Sequence, residues 1–145
     1  MEIMAFEQGH IDALVSVYVD VFAGPPWHER WEEAWVRQRL ACVAQSPNAY
    51  GLVVASEGSL IGAILGRGIP FKSEMHFEIV ECFIAPRDQG QGIGTRLLHE
   101  LERLLQLQGY ALVFLGTSVY GDPPRFYQRN GYARLESIQL MTKSL

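Results

Sequence analysis

The chain has 145 residues, the size of a single domain, and its 48% hydrophobic against 19% charged residues exclude the low-hydrophobicity signature of disorder. Twelve Lys and Arg against sixteen Asp and Glu leave a formal charge of -4 with no basic run to neutralise a phosphate backbone, so no nucleic-acid partner is expected. The longest apolar stretches, residues 60–65 and 110–115, fall far short of the roughly 20 residues that cross a bilayer; Glu2, Glu7 and Gln8 stand where a signal peptide needs a basic and then an apolar segment, so the expectations are no membrane association and a cytoplasmic location.

In chain order, residues 1–6 suit a first strand, broken at Gly9. Ile11, Leu14, Val15, Tyr18 and Phe22 then recur at helical spacing, and this helix ends near Gly24 because Pro25 and Pro26 force a break. A second helix is expected soon after Trp27-His28, with Val36, Leu40 and Val43 on one face and its end before Pro47. Residues 50–55 and 60–65 flank Ser56-Glu57-Gly58-Ser59 and read as a β-hairpin. Residues 66–73 hold Gly66, Gly68 and Pro70 and read as a loop, and residues 75–84 as a further strand leading into Pro86.

From Ile93 the helical period returns, with Leu97, Leu98, Leu101, Leu104 and Leu105 on one stripe, until Gly109. Residues 110–115 read as a strand buried on both faces. Asp122-Pro123 signals a short helix with Asp122 as N-cap, stopped by Asn130-Gly131, and two final strands are expected over residues 132–135 and 138–142. The order βααββββαβαββ, with one strand break left open, gives a single mixed α/β domain over residues 1–145. Cys42 and Cys82 have no metal-ligand spacing and read as buried free thiols, and no metal is expected.

The most informative stretch is Pro86-Arg87-Asp88-Gln89-Gly90-Gln91-Gly92-Ile93-Gly94-Thr95, between a strand and the leucine-striped helix. Glycines allow positive φ, so successive amide hydrogens can converge on an anion at a helix N-terminus. A nucleotide P-loop needs GxxxxGK, and no lysine occurs between Lys72 and Lys143; a dinucleotide fingerprint needs GxGxxG, whereas Gly90, Gly92 and Gly94 are spaced GxGxG.

The run Pro-x-x-Gln-Gly-x-Gly-Ile-Gly, after an apolar strand containing Glu81 and before Leu97-Leu98, resembles the acetyl-CoA signature of the GNAT N-acetyltransferases. A second element of that family, an aromatic pair followed by a Gly-aromatic step, is similar to Phe126-Tyr127 with Gly131-Tyr132. Gln89 stands where Arg is commoner. The resemblance implies a central, mostly antiparallel twisted sheet flanked by helices, and an enzyme that moves acetyl from acetyl-CoA directly to a primary amine.

By that resemblance the loop amides of Gln89, Gly90, Gln91, Gly92, Ile93, Gly94 and Thr95 would meet the CoA pyrophosphate, and the strand edge at Phe83, Ile84 and Ala85 would pair with pantetheine. A backbone amide near Phe83 or Ile84 would polarise the thioester carbonyl. Glu81, or Glu78 three positions earlier, would take the ammonium proton directly or through a water, and Tyr127 would protonate the departing thiolate. The acceptor is expected between the first two helices and the loop before the Glu81 strand, which makes Trp27, His28, Glu29, Trp31, Phe71 and His76 its candidate residues. Aromatic walls with a carboxylate suit a cationic amine; for Trp27 a hydrophobic staple is the competing role. Two further readings stand beside a small-molecule acceptor: an acyl-CoA sensor without turnover, and acetylation of a protein amine. The resemblance also extends to homodimers.

Overall fold

The computed structural model describes residues 1–145 as one five-stranded sheet in the order β1-β2-β3-β4-β5, with helices on both faces. The strands are β1 (Glu2–Ala5), β2 (Ala49–Ser56), β3 (Ser59–Phe71), β4 (Glu74–Ile84) and β5 (Leu112–Leu115); the helices are α1 (Ile11–Ala23), α2 (Glu33–Ala44), α3 (Ile93–Leu107) and α4 (Asp122–Arg129). All neighbours are antiparallel except β4 and β5, which are parallel and joined through α3, the crossover that a parallel pair requires.

Two apolar clusters sandwich the sheet. On one face the stripes of α1 (Leu14, Val15, Tyr18, Phe22) and α2 (Val36, Leu40, Val43) pack on Val53, Ala63, Leu65 and Phe83. On the other, Leu97, Leu98, Leu101 and Leu105 of α3 pack on Leu52, Val54, Ile61, Ile64, Phe77 and Ile79. Strict alternation would keep odd-numbered residues of β4 on one face, yet Ile79 lies with α3 whereas Glu81 and Phe83 lie with α1 and α2. The ladder explains the switch: Leu65 pairs with Glu81 and Gly66 with Ile79, leaving Val80 unpaired as a bulge. Such bulges re-aim side chains, and here the bulge turns a carboxylate into the interior.

Residues 66–71, expected as loop, belong to β3, and only Lys72-Ser73 form the turn. The glycines mark close approach rather than a chain break: a Cβ at Gly66 would stand 2.0 Å from the Glu78 carbonyl oxygen, and one at Gly68 2.0 Å from the Tyr110 hydroxyl. The second helix starts at Glu33, later than the sequence suggests, after residues 28–32, which form neither helix nor strand. For α4 the N-cap is Gly121, with Asp122 already helical.

Strand β5 is not buried on both faces, since Leu112 and Phe114 are exposed. Nor do residues 132–135 and 138–142 form strands. Strand propensity yields a strand only where a ladder partner lies alongside, and the sheet ends at β5 with Leu135, Ile138, Leu140 and Met141 exposed. Cys42 is exposed on α2 rather than buried; Cys82 is partly buried in β4. No helix is long and apolar enough to cross a membrane.

Candidate active site

Strands β4 and β5 run together only from His76 opposite Leu112 to Ile79 opposite Leu115; beyond Ile79 they part, and the last five residues of β4 have no neighbour on that side. The gap leads directly into the glycine loop. Ala85 donates its N–H to the Ile61 carbonyl (2.7 Å), so alternation along the ladder turns the N–H and C=O of Ile84 toward the gap. There the Gln89 side chain donates from Nε2 to the Ile84 carbonyl at 2.8 Å, which fixes the start of the loop to the end of the strand. Of the three strand residues expected to pair with pantetheine, Ile84 presents its backbone to the gap, whereas the Ala85 amide is engaged on the other side.

Gly90 and Gly92 hold φ of 76° and 79°, the left-handed region that favours glycine, and Gly92 is the N-cap of α3. No side chain caps this helix and no acidic residue sits in its first turn. The amides of Ile93, Gly94 and Thr95 therefore have no intrahelical partner and sit at the positive end of a 15-residue helix dipole. A Cβ at Gly94 would stand 3.3 Å from the Phe126 ring, so this glycine lets α4 pack against the start of α3. These residues fit an anionic cofactor group such as a pyrophosphate.

On the other side of the splayed strand lies a cavity of about 220 Å³. Tyr18 and Phe22 of α1, Arg39 of α2, Trp27, Glu29 and Trp31 of the α1–α2 connection, residues 79–82 of β4, residues 115–117 and Tyr127 of α4 line it. The α1–α2 connection reaches across to the loop before α4, where a Cβ at Gly121 would meet Pro26 at 3.2 Å. The residues expected for the acceptor thus divide: Trp27, Glu29 and Trp31 come together, whereas His28, Phe71 and His76 do not line the cavity. Phe71 and His76 stack on each other at 5.0 Å at the β3–β4 tip, and His76 also pairs with Glu74 at 2.8 Å. The Trp31 indole donates to Glu29 at 3.0 Å.

Glu81 is the only buried charged residue, 3% exposed. It accepts a hydrogen bond from the Tyr18 hydroxyl at 3.2 Å and pairs with the Nε of Arg39. Burial holds its carboxyl above the ordinary carboxylate range, against the downward pull of Arg39 and Tyr18. Glu78, in contrast, is tied to Arg67 at 3.1 Å and does not line the cavity. Tyr127 lies beside Cys82 at the inner end; burial first, and Cys82 second, push its hydroxyl far above the usual tyrosine range. Burial pushes the Cys82 thiol up to about 11, which argues against a nucleophilic role at neutral pH. No cluster of His, Cys, Asp and Glu is placed to hold a metal ion.

Arg39 and Tyr18 escaped the sequence reading. Tyr18 reads as core, which it also is, packing edge-on against Trp31 at 5.3 Å and Phe83 at 5.2 Å. Arg39 carried a usable signal: three residues after Val36 and four before Val43, it falls on the buried face of its helix, and a carboxylate inside a sheet demands such a cation.

An α3 N-terminus of free amides beside a splayed parallel strand pair, with a cavity across it, is the arrangement that the resemblance to the GNAT N-acetyltransferases implies. The model of the Acetyltransferase (GNAT) family matches residues 13–132, so the chain belongs to that family. Among solved structures, a GNAT family acetyltransferase of Staphylococcus aureus matches at a TM-score of 0.73 and 19% identity, over 100% of each chain. An aminoglycoside acetyltransferase from an uncultured soil metagenomic sample, solved with sisomicin, matches at 0.76 and 16%, over 99% of this chain and 95% of that one. A ribosomal-protein-alanine N-acetyltransferase of Brucella melitensis matches at 0.78 and 12%, over 99% and 100%. At such identities the likeness is one of fold. No curated protein sequence matches the chain.

Proposed function

We propose that this protein transfers the acetyl group of acetyl-CoA directly to a primary amine of a small molecule, with Glu81 as base and Tyr127 as acid. The observation that carries this reading is the single buried carboxylate, aimed by the Val80 bulge into a cavity that Tyr127 also lines. Bound acetyl-CoA would supply an activated acyl group; the free amides of Ile93, Gly94 and Thr95 would hold its pyrophosphate, and the open edge of β4 beyond Ile79 its pantetheine arm.

An amine attacks only as the neutral base. A carboxyl whose pKa burial has raised removes an ammonium proton more effectively than an ordinary glutamate, while Arg39 keeps it from being neutralised outright. As the nitrogen–carbon bond forms and the carbon–sulfur bond breaks, Tyr127, held protonated at neutral pH, donates its proton to the leaving sulfur. The Ile84 N–H, turned to the gap, is the donor available to the developing oxyanion. Direct transfer needs no covalent intermediate, and the raised Cys82 pKa agrees with that.

A protein amine would need an open groove, and the aromatic-walled cavity of about 220 Å³ favours a small acceptor instead. A sensor without turnover has no use for the Glu81 and Tyr127 arrangement. The test is calorimetric titration with acetyl-CoA followed by thiol-release assays against amines. Micromolar binding at one site per chain with amine-dependent release supports the reading, binding without turnover of any amine leaves the sensor, and absence of binding overturns both.

A further inference from the structure

The cavity offers a cation as well as carboxylates, which an amine alone would leave without a counterpart: Glu29, Arg39 and Glu81 all line it. Were Arg39 there only to neutralise Glu81, both groups would be expected to be buried together. Instead the Glu81 side chain is 3% exposed and that of Arg39 44%. Arg39 commits its Nε–H to the carboxylate and lies beside the Tyr18 hydroxyl, and its half-exposed guanidinium lines the cavity. Its guanidinium carbon also lies 5.6 Å from the centroid of the Trp31 ring, within cation–π range. A half-exposed guanidinium on the cavity wall, steadied by a carboxylate and an indole, is the kind of group that recognises a second carboxylate.

We propose that Arg39 is a specificity-determining residue that binds a carboxylate carried by the acceptor, so that the acceptor is a small zwitterion of amino-acid size whose ammonium faces Glu81. This rests on the acetyltransferase reading above. A phosphate or other dianion fits less well, because Arg39 is the only cation lining the cavity and Glu29 and Glu81 would repel the second charge. The volume of about 220 Å³ has room for an acceptor of this size.

The test uses matched pairs, the twenty protein amino acids and their carboxamides, in the thiol-release assay with the whole chain, after acetyl-CoA binding has been measured by calorimetry. The amine of a carboxamide is less basic and so more often neutral at pH 7, which makes any preference for the free acid a measure of recognition rather than of nucleophilicity. For at least one side chain the free acid should exceed its amide in kcat/KM by about 10- to 100-fold, the range of a charge-assisted hydrogen-bonded pair. Arg39→Gln should bring that ratio toward one, and Arg39→Lys, which keeps the charge but not the fork, should leave it in between. Loss of Glu81's partner alone would slow acid and amide equally and leave the ratio unchanged, and that result overturns the proposal. So does a wild-type ratio of one or less, or acetyl-CoA binding with turnover of amines but of no free amino acid. A protein that does not bind acetyl-CoA overturns the underlying reading by a separate signal.

Discussion

The anion loop and the acceptor cavity lie on opposite sides of the same splayed strand, and they are built from different materials. The loop is mostly backbone: two left-handed glycines and an uncapped helix start, fixed by one glutamine side chain on a strand carbonyl, all within twelve consecutive residues (84–95). The cavity is side chain, assembled from α1, α2, their connection, β4, the end of β5 and α4. A backbone site tolerates many side chains but few changes of φ. A side-chain site depends on each contributor and on the packing that brings six segments together.

That difference predicts where damage registers, and the largest effect belongs to the cavity. Glu81→Gln keeps an acceptor for Arg39 and Tyr18 while removing the base, so kcat should fall by about 10²- to 10⁴-fold. Acetyl-CoA affinity, measured by calorimetry, should not change. A fall in affinity with kcat preserved would break the division between the two halves. Tyr127→Phe should lower kcat by roughly 10- to 100-fold, less than the loss of the base because a thiolate leaves more readily than an amine. Pre-steady-state thiol release would locate the loss in the chemical step.

The loop is tested by Gly92→Val, which forces a β-branched residue into φ 79°. The strain of about 1–2 kcal/mol should appear as roughly tenfold weaker acetyl-CoA binding, with the relative preference among amine acceptors unchanged. A shift in that preference would mean that loop and cavity are coupled. The pH profile sharpens the comparison further. Because burial raises the Glu81 pKa, the base form fills only as pH rises past the ordinary carboxylate range, and the acidic limb of kcat/KM should lie there. Arg39 favours the charged form, so Arg39→Gln should move that limb to higher pH; a shift the other way would remove Glu81 from the base role.

The same contrast explains what could be read from the sequence. A motif made of backbone is contiguous, so the glycine loop and its helix were legible from spacing, as were α1, α2, α3 and the first hairpin from their apolar periods. Misreadings arose where a residue type has two uses. Gly66 and Gly68 look like loop punctuation, yet they are places where a neighbouring carbonyl and the Tyr110 hydroxyl leave no room for a side chain. The segment after Tyr132 has strand-like residues but no ladder to join. Arg39 looks like a solvated helix charge until the tertiary fold brings it to Glu81, 42 positions away. Phe71 and His76 precede Glu81 in sequence but lie toward the far end of its strand, since the five residues from His76 to Glu81 span about 16 Å of extended chain.

The smallest effect bears on the two carboxylates that the sequence left level. Glu78 and Glu81 share the α1–α2 side of β4 because of the Val80 bulge, so position on the sheet alone does not separate them. Their surroundings do. Glu78 is tied to Arg67 across the strand pair with both side chains in reach of solvent, 29% and 46% exposed, and an ion pair of this kind contributes at most about 1 kcal/mol. Glu81 has been taken out of water, and burial gives its carboxyl the raised pKa that a base for an ammonium requires. Glu78→Gln should therefore leave kcat within about threefold of the wild type and lower the melting temperature only slightly, as its pair is worth so little. If instead it abolished turnover while Glu81→Gln did not, the proton would leave by the exposed carboxylate, and the buried Tyr18–Glu81–Arg39 cluster would be a structural brace for α1, α2 and β4.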